Sequence, residues 1–299
     1  MAYHLGRILH LEFGLETIAV RVGEESRENG IFHYDVRLPN IGINEMENQI
    51  TSSDILISNP SFSNHFFGLR LAGRKLMYIQ DFKTFTLLDR YFDHYVCVSR
   101  FVAKFVKTVY NVRTPVIPAF VETNPLSNRF GWHDRPAASI LVHLKGDAIL
   151  QEVLLTRLRD SVARSRPGVD LDNILTGASL PHDDFLAQIG ACRYFVSLSA
   201  AEGFGLVPLE AMAMGATVIG FDGFGGREYM RPGKNCLTTS YPDIEGVAER
   251  LVDALEKPAY AERLAESGRI TASHFGYERF RVAWHHQFRQ FLKTAGCRA

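Results

Sequence analysis

Short apolar runs bounded by turn-forming residues recur through the first third of the chain: RILHLEF (7–13), TIAVRV (17–22), DILISN (54–59), KLMYIQDF (75–82) and YVCVS (95–99). Compact apolar runs of this kind predict buried parallel strands. In FVAKFVKTVYNV (101–112), Phe101, Phe105, Val109 and Val112 share one face at helical spacing, with Lys104 and Lys107 among them. Proline and asparagine then gather in residues 115–139 without periodicity, which predicts a linker between domains.

The second half alternates more cleanly. Strands are predicted at 139–146, 172–177, 194–199 and 216–221, and helices at 149–165, 183–193 (N-capped by Asp183) and 205–215 (stopped by Gly215). Three helical stretches close the chain. Strand–helix alternation in two blocks predicts an α/β protein with two Rossmann-like domains. The boundaries read as 1–120 for a reduced first domain, 121–138 for the linker and 139–275 for the second domain. The stretch 276–299 forms a last helix.

The informative stretch is SLSAAEGFGLVPLEAMAMGATVIGFDGFGGREY (197–229). A buried strand ends in a loop of small residues, where Gly203 and Gly205 flank Phe204 and let the backbone approach a ligand. Pro208 stands in the first turn of the following helix, where its missing N–H costs nothing. Such a helix N-terminus seats phosphate, and parallel sheets bind ligands at the carboxyl ends of their strands. Glu202 and Glu210 bracket the loop, and Glu210 is suited to accept hydrogen bonds from a ribose diol. Taken singly, each glutamate also reads as a solvated loop charge or a helix-terminal acid.

The phrase resembles the retaining glycosyltransferase family 4 group of the GT-B superfamily, whose pattern is S-x-x-E-G-F-G-L-x-x-x-E-A-M-A-x-G followed by G-G-x-x-E. Ser199, Glu202, Gly203, Phe204, Gly205, Leu206, Glu210, Ala211, Met212, Ala213, Gly215, Gly225, Gly226 and Glu228 match it. The resemblance implies a GT-B fold, with the domains facing across a cleft and the last helix crossing back onto the first. It implies a nucleotide-diphosphate sugar donor and a glycan, lipid-linked or other hydroxyl acceptor. It places the donor sugar and diphosphate on the amides of Gly203, Phe204, Gly205 and Leu206 with Ser199 beside them, the ribose on Glu210, and Glu202 at the sugar near the reacting carbon. The family's usual Arg and Lys after the first strand of the second domain reduce here to Lys145, with His143 nearby. Lys145 would stabilise the leaving diphosphate. The first domain lacks the usual glycine-rich loop, since LEFGLE carries Gly14 alone.

Asp81, in YIQDFKTF after a strand, is the candidate for acceptor contact or proton relay, against a plain turn carboxylate. His65 and His94 are weaker candidates, more simply read as packed against aromatics. His285 and His286 read as surface residues, with no third ligand at metal spacing. No D-x-D motif follows a strand, so no cofactor and no metal are expected. The helix bearing Lys104 and Lys107 could touch an anionic membrane, although a solvated face over a core stripe is the simpler reading.

Composition narrows the field. Lys and Arg number 33, as do Asp and Glu, giving zero formal charge; a nucleic-acid polymer would call for a basic excess. Cys97, Cys192, Cys236 and Cys297 are widely spaced, which fits a reducing, cytoplasmic setting. The start of the chain reads as a strand and not a signal peptide, and no apolar run reaches the ~18 residues of a membrane span. Three rivals remain: a GT-B sugar-nucleotide epimerase, a phosphorylase, and a non-catalytic glycosyltransferase-like subunit binding a nucleotide or a partner. A dinucleotide-dependent dehydrogenase is disfavoured by the absence of G-x-G-x-x-G after the first strand of either domain.

Overall fold

The computed structural model describes residues 1–21, 38–122, 131–176 and 181–293. Val22, Gly177, the linker residues 123–130, Cys297 and the chain end from 294 lie outside the described residues. Two compact units are formed, one of Met1–Ala119 with the chain from Glu278 onward, the other of Phe120–Tyr277.

The first unit opens on a helix, α1 (Ala2–Phe13), where a strand was expected at 7–13. Leu5, Ile8 and Leu9 recur at helical spacing and are all buried, so one stripe of a helix satisfies them. Gly14 ends it in the left-handed region, with φ of 64°. There follow β1 (Ala19–Arg21), β2 (Asn40–Gly42), α2 (Ile43–Gln49), β3 (Ile55–Ser58), α3 (Phe67–Arg70), β4 (Arg74–Ile79), β5 (His94–Cys97) and α4 (Arg100–Tyr110). β1 and β2 pair with each other, and β3, β4 and β5 form a second, wholly parallel sheet in that order. Ser99 caps α4, its Oγ accepting the Val102 N–H at 3.2 Å.

The buried stripe of α4 is Val102 and Val106, not the expected 101/105/109/112 face; Val109 is 54% exposed and Val112 lies beyond the helix end. Phe101 and Phe105 lie to the side of that stripe, their rings 5.0 and 5.6 Å from Phe82. The last helix, residues 277–293, packs into this unit. Trp284 is fully buried, edge-on to Tyr78 at 4.9 Å and beside Phe288 at 5.1 Å. Arg281 and His285 both reach Glu12, at 2.9 and 2.6 Å. His285 is thus half-buried and hydrogen-bonded to Glu12 rather than a plain surface residue. His94 accepts from the Gln287 amide at 2.8 Å, and its pKa is lowered by burial and then by Arg74. Trp284→Ala removes the largest fully buried side chain of this core. The expected cost is about 3–5 kcal/mol, a fall in the unit's unfolding midpoint on the order of 10 °C in a thermal melt.

The second unit contains β6 (Ile140–Leu144), α5 (Ala148–Ser165), β7 (Ile174–Thr176), α6 (His182–Gly190), β8 (Tyr194–Ser197), α7 (Leu206–Ala213), β9 (Thr217–Phe221), β10 (Leu237–Thr239), α8 (Ile244–Glu256) and α9 (Pro258–Ser273); α10 (Tyr277–Lys293) is the last helix described above. Its sheet is wholly parallel, in the order β10-β9-β8-β6-β7. β6, β8 and β9 are buried along their whole length, as strands covered on both faces should be. α6 starts at His182 after Pro181, so Asp183 lies in its first turn and is not its cap. There its charge still favours the positive end of the helix.

Residues 131–138, read as linker, are partly built into this unit. Trp132 is buried edge-on against Tyr194 at 5.6 Å. The buried Arg135 guanidinium donates to the carbonyls of Cys192 at 2.8 Å, Met214 at 2.6 Å and Gly215 at 3.1 Å. The last two lie at the C-terminus of α7, whose carbonyls need partners and whose dipole favours a cation. Gly215 stops α7 with φ of 74°.

Candidate active site

Strand order fixes where a ligand would sit in the second unit. From β6 the chain moves outward to β7, then returns across β6 to β8, so the direction of winding reverses between β6 and β8. Parallel sheets open a crevice at the carboxyl ends of the two strands flanking such a switch point. Lys145 follows β6 directly, and the loop 198–205 follows β8.

Glu202 is the centre of that loop. Ser199 Oγ donates to its Oε1 at 2.7 Å, and Lys145 Nζ lies 3.0 Å from each carboxylate oxygen. The Glu202 side chain is 14% exposed and the Lys145 side chain 52%. The sequence pattern grouped Ser199 with the ligand-binding residues; here it orients the glutamate. Lys145 and Glu202 meet across 57 positions of sequence. The Glu202 backbone pairs with the next loop: its N–H donates to Gly223 O at 2.7 Å and its carbonyl accepts from Gly225 N–H at 3.1 Å.

The start of α7 is equally fixed. Gly205 precedes it with φ of 86° and ψ of 65°, a conformation that favours glycine. Tyr229 donates its hydroxyl hydrogen to Gly205 O, and burial raises the Tyr229 pKa well above the phenol range, with Glu202 and Glu210 adding to it. The phenol therefore stays protonated as a donor. Phe204 is buried against Tyr229 at 5.5 Å and Phe275 at 5.9 Å, an anchor holding the glycine loop. The first amides of a helix have no intrahelical partner, which leaves the N-terminus of α7 an electropositive end.

Glu210 lies in the second turn of α7, 14% exposed at its side chain. Its Oε1 is 2.9 Å from His182 Nε2 at the start of α6. The pKa of His182 is raised, chiefly by this hydrogen bond. His182 was not among the residues singled out from sequence, and with 28 positions between the partners no local pattern reveals the pair.

Two further polar atoms lie below the loop. His143 and Ser197 face each other in the register of β6 and β8, and both residues are buried. Among the described residues, His143 Nδ1 and Ser197 Oγ have no hydrogen-bond partner. Burial pushes the His143 pKa down to about 4, with Glu202 opposing and Lys145 reinforcing the shift, so the ring is neutral near pH 7. Its environment is thus unlike that of a phosphate-binding cation.

Asp81 belongs to the first unit. Its Oδ1 accepts the N–H groups of Lys83 and Thr84, each at 2.9 Å, and its Oδ2 accepts Thr84 Oγ at 3.0 Å. That is the geometry of a turn-closing carboxylate. His65 stacks on Phe67 at 5.1 Å. Among the described residues no group of three or more His, Cys, Asp or Glu is placed to hold a metal ion, and no helix is long and apolar enough to cross a membrane.

This parallel α/β architecture is that of GT-B glycosyltransferases. The chain aligns with sucrose-phosphate synthase from Thermosynechococcus elongatus at a TM-score of 0.68 and 14% identity, over 98% of this chain and 93% of that one. A variant of S. aureus TarM, solved with fondaparinux, alpha-GlcNAc-glycerol and UDP, aligns at 0.65 and 14% identity, over 82% of this chain and 57% of that one. At such identity the likeness is one of fold. Residues 171–271, the segment that carries Glu202, Glu210 and the glycine loop, match the family Glycosyl transferases group 1. A stretch of 79 residues is 40% identical to the serotype-specific mannosyltransferase WbdA of Escherichia coli, covering 26% of this chain and 8% of that protein.

Proposed function

We propose that the protein transfers a sugar from a nucleotide-diphosphate sugar to a hydroxyl acceptor on a glycan or lipid-linked saccharide, with retention of configuration. The observation that carries this reading is the Ser199–Glu202–Lys145 cluster at the switch point, inside the segment matched to group 1 glycosyltransferases. On this reading the second unit holds the donor. The N-terminus of α7 and Lys145 meet the diphosphate, so charge on the leaving group is stabilised by fixed donors without a metal ion. Glu210 accepts the ribose hydroxyls, and Glu202 stands by the reacting carbon of the sugar. UDP bound in the TarM structure supports a nucleotide diphosphate as the ligand class. The acceptor is left to the first unit, where the lysines of α4 and the exposed Val109 would suit an anionic membrane surface. The buried free thiols Cys97, Cys192 and Cys236 support a cytoplasmic setting.

A second reading, a nucleotide-binding subunit without chemistry, draws on one observation: Lys145, the only Lys or Arg in residues 140–147, is already paired with Glu202. One experiment separates the two. Thermal melts with UDP, GDP, ADP, TDP and CMP, and with their sugar conjugates, should give a selective stabilisation of about 2.7 kcal/mol at a hundredfold excess over Kd. That shift should vanish in Glu210→Ala. Sugar release or transfer from the stabilising conjugate, undiminished by EDTA, supports the metal-independent transferase. Binding with no transfer to any acceptor favours the subunit. No shift with any nucleotide sinks both.

A further inference from the structure

Glu210 has two requirements that conflict. The carboxylate form is the stronger acceptor and can take both hydroxyls of a ribose diol, yet an anion beside a diphosphate repels the ligand it serves. Its side chain is mostly buried, so the charge is poorly screened by water. We propose that His182 resolves the conflict as a positioning residue for nucleotide binding, holding the Glu210 carboxylate in one orientation and cancelling its charge. This deepens, and rests on, the reading of the α7 site as a nucleotide site.

The geometry is specific. His182 is the first residue of α6, and its Nε2 meets Glu210 Oε1 at 2.9 Å. The Phe185 ring, one turn along, lies nearly parallel to the imidazole, at 16° and 6.2 Å between centroids, which orients the ring. Glu210 Oε1 is thereby engaged, while Oε2 accepts no hydrogen bond among the described residues.

The charges around the imidazole agree. Glu210 from α7, Asp183 from α6 itself and Glu122 from the segment entering this unit are all acidic, and together they outweigh the desolvation that disfavours its protonated form. The raised pKa means that the proton is held below the folded-state value and lost as pH rises through it. Above that pH the negative charge of the Glu210 carboxylate is no longer offset by His182, which disfavours an anionic nucleotide bound beside it. Nucleotide affinity should therefore fall as pH rises.

The test is calorimetric titration of UDP, GDP, ADP and TDP into wild type, His182→Ala, His182→Gln and Glu210→Ala, from about pH 6 to about pH 9. Wild type should bind more weakly as pH rises. His182→Ala should bind about tenfold or more weakly at the low end, with the pH dependence gone. His182→Gln, which keeps an N–H donor without the charge, should recover part of the affinity but none of the pH dependence. With acceptor saturating and donor varied, the His182 variants should raise the KM for donor and leave kcat near wild type. By NMR, the His182 titration midpoint should fall in Glu210→Gln. Wild-type affinity and pH profile in His182→Ala, with Glu210→Ala defective, would overturn the role of His182 alone. Wild-type affinity in Glu210→Ala, or no binding of any of the four diphosphates by wild type, overturns the nucleotide reading and this proposal with it.

Discussion

Glu202→Gln should lower turnover about 10²–10³-fold, the loss typical of removing one preorganised charge-stabilising group, while donor affinity stays within a few-fold of wild type. Glutamine keeps the shape of the side chain, and its carbonyl oxygen can still accept the Ser199 hydroxyl now placed at 2.7 Å. The backbone bonds to Gly223 and Gly225 are untouched by the change. The loop should keep its form, and the melting temperature should move little. What disappears is the negative charge beside the sugar carbon, where positive charge develops as the bond to the diphosphate lengthens. A charge needed only as the bond breaks affects kcat and not binding. The variant also releases Lys145, which lies 3.0 Å from both Glu202 oxygens in the free protein. With that partner neutralised, Lys145 becomes more available to the diphosphate, so donor affinity should hold or improve. Steady-state kinetics with a saturating acceptor, together with donor titration, check both parts. Turnover near wild type, or affinity lost in step with turnover, would remove Glu202 from the role proposed for it.

The second unit was legible in the sequence for a physical reason. Strands buried on both faces, such as ILVHL and YFVS, read as nearly continuous apolar runs, and the glycine-and-glutamate phrase joins several local requirements in one segment. The first unit was less legible. In residues 7–13 a short apolar run satisfies a strand or a helix, and only the longer stripe from Leu5 shows the helical period. On α4 the choice between two adjacent faces depended on what covers them. Val102 and Val106 fit the core, while Phe101 and Phe105 find Phe82 instead.

The site divides along similar lines. Glu202, Glu210 and the glycines lie close in sequence, and their spacing could be read. Lys145–Glu202 and His182–Glu210 join residues 57 and 28 positions apart, so nothing local announces them. Asp81 is the converse case. D-F-K-T, with a carboxylate three residues before a threonine, is a turn pattern visible in the sequence, and the structure spends both carboxylate oxygens on it. Any work of Asp81 on an acceptor would have to be done by a group that already accepts three hydrogen bonds.

Gly225→Ala should disable the site from outside the phosphate loop. Gly225 packs directly on the loop backbone: an added Cβ would overlap the carbonyl of Gly203 and lie 2.5 Å from the Phe204 nitrogen. These are main-chain atoms, so no side-chain rotation relieves the overlap. One of two things must yield. The Glu202–Gly225 hydrogen bond at 3.1 Å can break, leaving the Glu202 backbone held by its bond to Gly223 alone, or the Gly203–Gly205 segment can move and shift the start of α7. The second route is resisted by Phe204, buried against Tyr229 and Phe275, and by the Tyr229 hydroxyl on Gly205. The strain should therefore appear both as lost stability, about 1–3 kcal/mol, and as misplaced amides at the phosphate seat. Misplacement by about 1 Å is enough to cost on the order of 10²-fold in rate. Nucleotide titration and a thermal melt of the same sample separate the two effects. If the melt drops while nucleotide affinity is kept, the loop has accommodated the methyl group and the backbone near Gly203 is not what grips the diphosphate. If affinity falls much further than stability does, the seat for the diphosphate is the backbone that Gly225 supports.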